Sequence, residues 1–78
     1  MTFPQIERIT LDPQVMGGKP CVRGMRVTVG MITGMLASGC GEDELLRLYP
    51  YLEPEDIRAA LAYATWRSEE RDVALVAA

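Results

Sequence analysis

The chain is 78 residues long, 49% apolar and 24% charged, with a net charge of −3 and no histidine. A chain this short makes one domain near the lower limit for folding on a single core, and its composition is globular, not disordered. Two cysteines without histidine exclude the usual Cys/His zinc patterns and are too few to staple a secreted mini-protein.

No cationic segment followed by an apolar one opens the chain, and no apolar run approaches the length of a membrane span. The expectation is a reduced, cytoplasmic protein with buried thiols, no membrane contact, no metal and no cofactor. A core this small is readily supplemented by association, which predicts a homodimer or another partner. Charge is unevenly placed: residues 1–30 carry +2 and residues 31–78 carry −5. Such asymmetry suggests two surfaces that meet two kinds of partner.

In chain order, Ile9 and Leu11 alternate with Arg8, Thr10 and Asp12, a short strand signal stopped by Asp12-Pro13. The stretch VMGGKPCVRGMRVTV, residues 15–29, follows as a basic loop punctuated by glycine and proline. Met25–Thr28 alternates again, and the two runs are expected to pair as a small antiparallel ribbon that must lean on helices for stability.

Thr28 is a good N-cap for a helix from Val29 to about Ser38, ended by Gly39. Val29, Ile32 and Leu36 form its apolar stripe, while Gly30, Gly34, Ala37 and Ser38 share another face. Small residues let another backbone approach closely, and packing on the third helix is the expected use of that face. Cys40, just ahead of the next helix, reads as an unreactive structural thiol. Gly41 then precedes Glu42, Asp43 and Glu44, acids placed where the helix dipole favours them, and Pro50 closes this short second helix. Glu53 caps the third helix, Pro54 takes its first position, and nothing breaks it as far as Arg67.

Along the third helix, a helical period puts Ile57, Ala60, Leu61 and Ala64 in one apolar stripe and Ala59, Ala62, Tyr63 and Trp66 in another. Arg58, Thr65 and Glu69 form the polar wall between them. The second stripe is covered either by the ribbon or by another protein. The fold class is mainly α: a three-helix, helix-turn-helix-like bundle preceded by a short N-terminal β-ribbon. It is one domain, 1–78, with ribbon and loop over 8–28, the three-helix unit over 29–67, and a helical or flexible tail over 68–78.

Motifs for catalysis are missing. Gly18-Lys19-Pro20 lacks the hydroxyl of a phosphate loop, no GxGxxG spacing occurs, and a Ser/His/Asp set is impossible without histidine. The carboxylates gather at helix starts, where capping explains them. A groove-entering third helix meets an electrostatic objection, because Glu53, Glu55 and Asp56 at its start repel phosphates.

The segments GGKPCVRGMRVTV and LASGCGEDELLRLYPYLEPEDIRAALAYA carry a resemblance to a small prokaryotic domain-of-unknown-function family. Its paired signatures are similar to GGKPCIRGTRI/V and YPxLxxEDIxAALxYA, and the resemblance covers residues 6–66. Gly18, Lys19, Pro20, Arg23, Gly24 and Arg26 match in the loop; Tyr49, Pro50, Leu52, Asp56, Ile57 and Tyr63 are among the matches in the second block. Met25 departs from the family's threonine, and Gly41 stands where a hydroxylated cap is common. The resemblance implies a homeodomain-like fold behind an N-terminal ribbon, often encoded beside a PIN-like ribonuclease. Such members look like antitoxins of type II toxin–antitoxin pairs.

The resulting expectation is an antitoxin, not an enzyme, that inhibits a PIN-like ribonuclease toxin and autoregulates its operon. The alternative is a stand-alone helix-turn-helix DNA-binding regulator. A PIN-like site gathers carboxylates around divalent metal, which an inhibitor meets with arginine near an aromatic anchor. The candidate partner-binding residues are therefore Ala59, Tyr63, Trp66, Arg67 and Arg71, although the two arginines also read as ordinary helix-surface residues paired with acids such as Glu70. Lys19, Arg23 and Arg26 are the candidate contacts to operator DNA, in a loop that reads first as a hairpin-like turn. Residues 65–78, TWRSEERDVALVAA, are expected to be loosely held in the free protein and to order against the nuclease.

Overall fold

The computed structural model describes residues 4–70 and begins with a 3-10 turn over Pro4–Arg8 that runs directly into β1, Ile9–Thr10. β1 pairs antiparallel with β2, Cys21–Val22, in the register Ile9 to Val22 and Thr10 to Cys21. The pairing expected from the sequence, β1 with Met25–Thr28, is not formed. The chain reverses sooner, immediately after Val22. Arg23 and Gly24 take φ of 46° and 72°, and the Met25 N–H donates to the Val22 carbonyl at 2.8 Å. Two successive positive φ values closed by that bond describe a type I′ turn, whose twist suits paired strands. The returning limb then lies on the other side of β2: Val22 N–H donates to the Val27 carbonyl at 3.0 Å, and Cys21 bridges Thr28.

Between the strands, Met16, Gly17 and Gly18 have φ of 50°, 67° and 87°, a left-handed turn that two glycines make accessible. Three helices follow: α1, Val29–Ala37; α2, Glu42–Leu48; and α3, Pro54–Glu70. The Thr28 hydroxyl accepts the Met31 N–H at 3.0 Å, so α1 starts where the sequence places its cap. The domain is thus mostly helical, with three helices and a short two-stranded antiparallel sheet near its N-terminal end.

The core comprises Val22, Val27, Val29, Ile32, Leu45, Leu52, Ile57 and Ala60. Full burial of a side chain such as Ile32, Leu45 or Ile57 stabilises the fold by roughly 1.5–3 kcal/mol. α3 is the central element, packed against the 3-10 turn, α1, α2 and both strands. Its two apolar stripes merge into one wide buried face holding Asp56, Ile57, Ala59, Ala60 and Ala62. Leu61, expected in the core stripe, is 45% exposed and shares the outer side with Arg58 and Thr65. The 3-10 turn is the reason: it adds cover on a flank of α3 that three helices alone leave open.

A second expectation also changes. Gly30, Gly34, Ala37 and Ser38 do not pack on α3; all four are exposed. A β-carbon placed on Gly34 meets nothing within 4 Å, and one on Gly30 meets only the Thr28 hydroxyl at 3.8 Å. Each glycine inside a helix costs about 1 kcal/mol relative to alanine, and among the described residues no neighbour requires either one.

Candidate functional site

Folding gathers the most polar contacts where the sequence suggests repulsion, at the start of α3. The Asp56 side chain is 0% exposed. Its Oδ1 accepts from Arg8 Nη1 at 2.8 Å and Arg23 Nε at 3.0 Å. Its Oδ2 accepts from Arg23 Nη2 at 2.7 Å and from the Glu53 N–H at 2.9 Å. A carboxylate has about four lone-pair sites, and all are used. Arg8 also donates to Glu53 Oε1 at 2.8 Å, and Arg23 Nη2 to the Tyr51 carbonyl at 3.1 Å. Burial alone pushes the Asp56 carboxyl up, but the bonds from Arg23, the Glu53 N–H and Arg8 outweigh it and hold the group at about 2.

Each partner is delivered by its element. The 3-10 turn places Arg8 immediately before β1, and Arg23 takes the first corner of the type I′ turn, where its N–H donates to the Arg8 carbonyl at 2.7 Å. A non-glycine residue in the left-handed region costs roughly 1–2 kcal/mol. The two-pronged grip of Arg23 on Asp56 offsets that cost. Asp56 itself occupies the first turn of α3, accepting from the N–H of Glu53 as the third-position acid of a capping box does.

This corner takes one of the candidate DNA contacts out of simple solvation. Arg23, with 38% of its side chain exposed, is committed to Asp56 and Tyr51, while Lys19 and Arg26 are exposed. Among the partner candidates, Ala59 is 0% exposed and presents nothing to an outside molecule. Tyr63 is half-buried beside the core, and Trp66 is 39% exposed, their ring centroids 5.7 Å apart. Arg67 is exposed one residue further on, and Arg71 lies outside the described residues. Of the segment 65–78, residues 65–70 continue α3 and the remainder lies outside the described residues.

Arg8, Glu53 and the inward role of Asp56 escaped the sequence reading. The signal was present in an acid three residues after the cap position, flanked by Ile57 and Ala59 on a buried arc. Cys40 agrees with the expectation for it: burial first, then Glu44, pushes its thiol up, away from the reactive thiolate. Among the described residues no group of three or more His, Cys, Asp or Glu is arranged to hold a metal ion. No helix among them is long and apolar enough to cross a membrane.

Residues 9–64 match the model of the family described as protein of unknown function, DUF433. An uncharacterized protein of Sinorhizobium fredii is 40% identical over 58 residues, which make up 74% of this chain and 26% of that protein. A crystal structure of a DUF433 member protein from Anabaena variabilis is similar with a TM-score of 0.75 and 34% identity, over 83% of this chain and 64% of that one. The chain therefore spans about a quarter of the length of its Sinorhizobium relative.

Proposed function

The chain belongs to the DUF433 family, and we propose that it is an antitoxin, a non-catalytic cytoplasmic module that binds and inhibits a PIN-like ribonuclease and represses its own operon. On this reading the three helices form a homeodomain-like, helix-turn-helix-like unit used for protein binding. The observation that carries the proposal is the exposed end of α3, where Trp66 stands against Tyr63 with Arg67 next to it. Rigid aromatic residues and arginine are the usual anchors of protein interfaces. An arginine brought to a carboxylate-lined nuclease site meets complementary charge and bidentate acceptors.

The stand-alone DNA regulator is supported less well. A recognition helix needs a free N-terminal turn to reach base edges. In α3 that turn is engaged with Arg8 and Arg23, and its exposed side chains include Glu53 and Glu55. DNA contacts are then left to Lys19 and Arg26, as an accessory to repression.

The first test is whether a PIN-like reading frame adjoins the gene of this chain, and the second is co-expression of the two. Full-length protein restores growth and co-purifies with the nuclease; Trp66→Ala with Arg67→Ala, or deletion of residues 68–78, loses both while the circular dichroism spectrum is kept. If no complex forms and growth is not restored, the antitoxin reading is wrong. A shift of upstream DNA whose salt slope falls by about two on replacing Lys19 and Arg26 with alanine supports the repressor role.

A further inference from the structure

Among the described residues nothing packs on the outer face of α1 at Gly30, Gly34, Ala37 and Ser38. From Thr28 to Gly41 there is no charged residue, yet Gly30, Gly34, Ala37 and Ser38 all face solvent. A shallow groove follows this face, lined by Gly30, Met31, Gly34 and Met35 and closed at its far end by Cys40 and Glu44. Exposed helical surface without charge, flanked by flexible methionines, is the kind of surface that another protein covers.

The two ends of α1 are flanked by opposite charge. At the start of α1, the Val29 N–H donates to the Pro20 carbonyl at 2.9 Å, which brings Lys19 to that end, and Arg26 lies two residues before the Thr28 cap. Past the end of α1 come Glu42, Asp43 and Glu44. Among the described residues none of these five makes an ion pair. A surface that is basic at one end, uncharged in the middle and acidic at the other is complementary to itself under a two-fold rotation.

We propose that the outer face of α1 is where two copies of this chain meet, with α1 packed antiparallel on α1 of the second copy. Gly30 and Gly34 let the two backbones approach closely, and the methionines fill the flanks. Lys19 and Arg26 of each copy then face Glu42 and Glu44 of the other, and the antiparallel helix dipoles add to the attraction. This contact is independent of the nuclease reading and leaves the Trp66 end of α3 to a different partner; it uses the Lys19 and Arg26 that the repressor role gives to DNA, so the two contacts exclude each other.

Sedimentation equilibrium over the micromolar range tests it. The unmodified chain sediments as a dimer. Gly34→Arg, whose new side chain starts in open space and leaves the helical spectrum intact, weakens the dimer at least about tenfold. A variant with Lys19→Glu and Arg26→Glu, and another with Glu42→Lys and Glu44→Lys, each dissociate alone, and an equimolar mixture restores a mixed dimer. A monomeric parent chain overturns the proposal, and so does a dimer that ignores Gly34→Arg. A mixture that stays monomeric refutes the antiparallel arrangement. Loss of nuclease capture by Gly34→Arg in a chain that is monomeric throughout gives the face to a heterologous partner and ends the proposal as well.

Discussion

Two regions of this small domain use charge in opposite ways. At the start of α3 a carboxylate is taken fully out of water and surrounded by four donors, two of its partners being arginines that remain part-exposed. On the outer face of α1 the surface is in water and has no charge at all from Thr28 to Gly41. The first region ties together three parts distant in sequence: the 3-10 turn, the type I′ turn and α3. The second ties nothing together among the described residues. Charge buried and satisfied serves the fold here, while the uncharged surface is the one we propose for association. In a domain with so small a core, the ionic corner substitutes for apolar contacts that the chain is too short to make.

The corner is broken most severely by Asp56→Ala. That change removes the acceptor for both arginines and the cap of the Glu53 N–H, and it is expected to cost about 3 kcal/mol, read as a drop in the urea midpoint. An equal loss of stability on replacing exposed Glu55, whose pairing with Arg58 is at 3.9 Å, would show that the corner is nothing special. Exposed pairs of that kind contribute about 0–1 kcal/mol.

A pH series sharpens the same point. The folded carboxyl of Asp56 sits at about 2, below its ordinary value of 3.8. A depressed acid contributes stability that is fully present above its unfolded pKa and lost as pH falls through its folded one. The stability gap between the parent chain and Asp56→Asn is therefore expected to be constant above pH about 4 and to narrow towards pH about 2. A gap that instead closed near neutral pH would place its origin in another group.

The smallest effect falls on the α1 face. Gly34→Ala adds a methyl group that touches nothing among the described residues and removes backbone freedom from the unfolded state. Below the association range, the thermal midpoint of this variant is expected to rise, by about 0.5–1 kcal/mol in stability. Destabilisation in dilute solution would mean that the glycine serves the monomer fold after all.

Much of the local structure was legible in the residues. Thr28 as cap, Gly39 as terminator, the acids after Gly41 and Pro54 at the head of α3 are each decided by backbone hydrogen bonding and dihedral freedom within a few positions. These local effects do not depend on distant neighbours, so α1, α2 and α3 start where the sequence puts them. The glycine-rich stretch was rightly read as a turn, since Gly24 supplies one of the two positive φ values.

What the tertiary structure alone decided was partnership. Which limb of the loop pairs with β1 depends on where the turn closes, and Met25 alternates as convincingly as Cys21 in the sequence. Whether Ala59 or Leu61 is buried depends on the 3-10 turn, whose five residues show no apolar period. Asp56 stands at the third position after the cap in the sequence, but its burial is decided only when Arg8 and Arg23, 48 and 33 positions away, arrive on the same side. Propensity and periodicity are properties of neighbours along the chain; an ion pair across such separations is a property of the folded geometry, and only that geometry turns a repulsive acidic start into the best-satisfied point of the molecule.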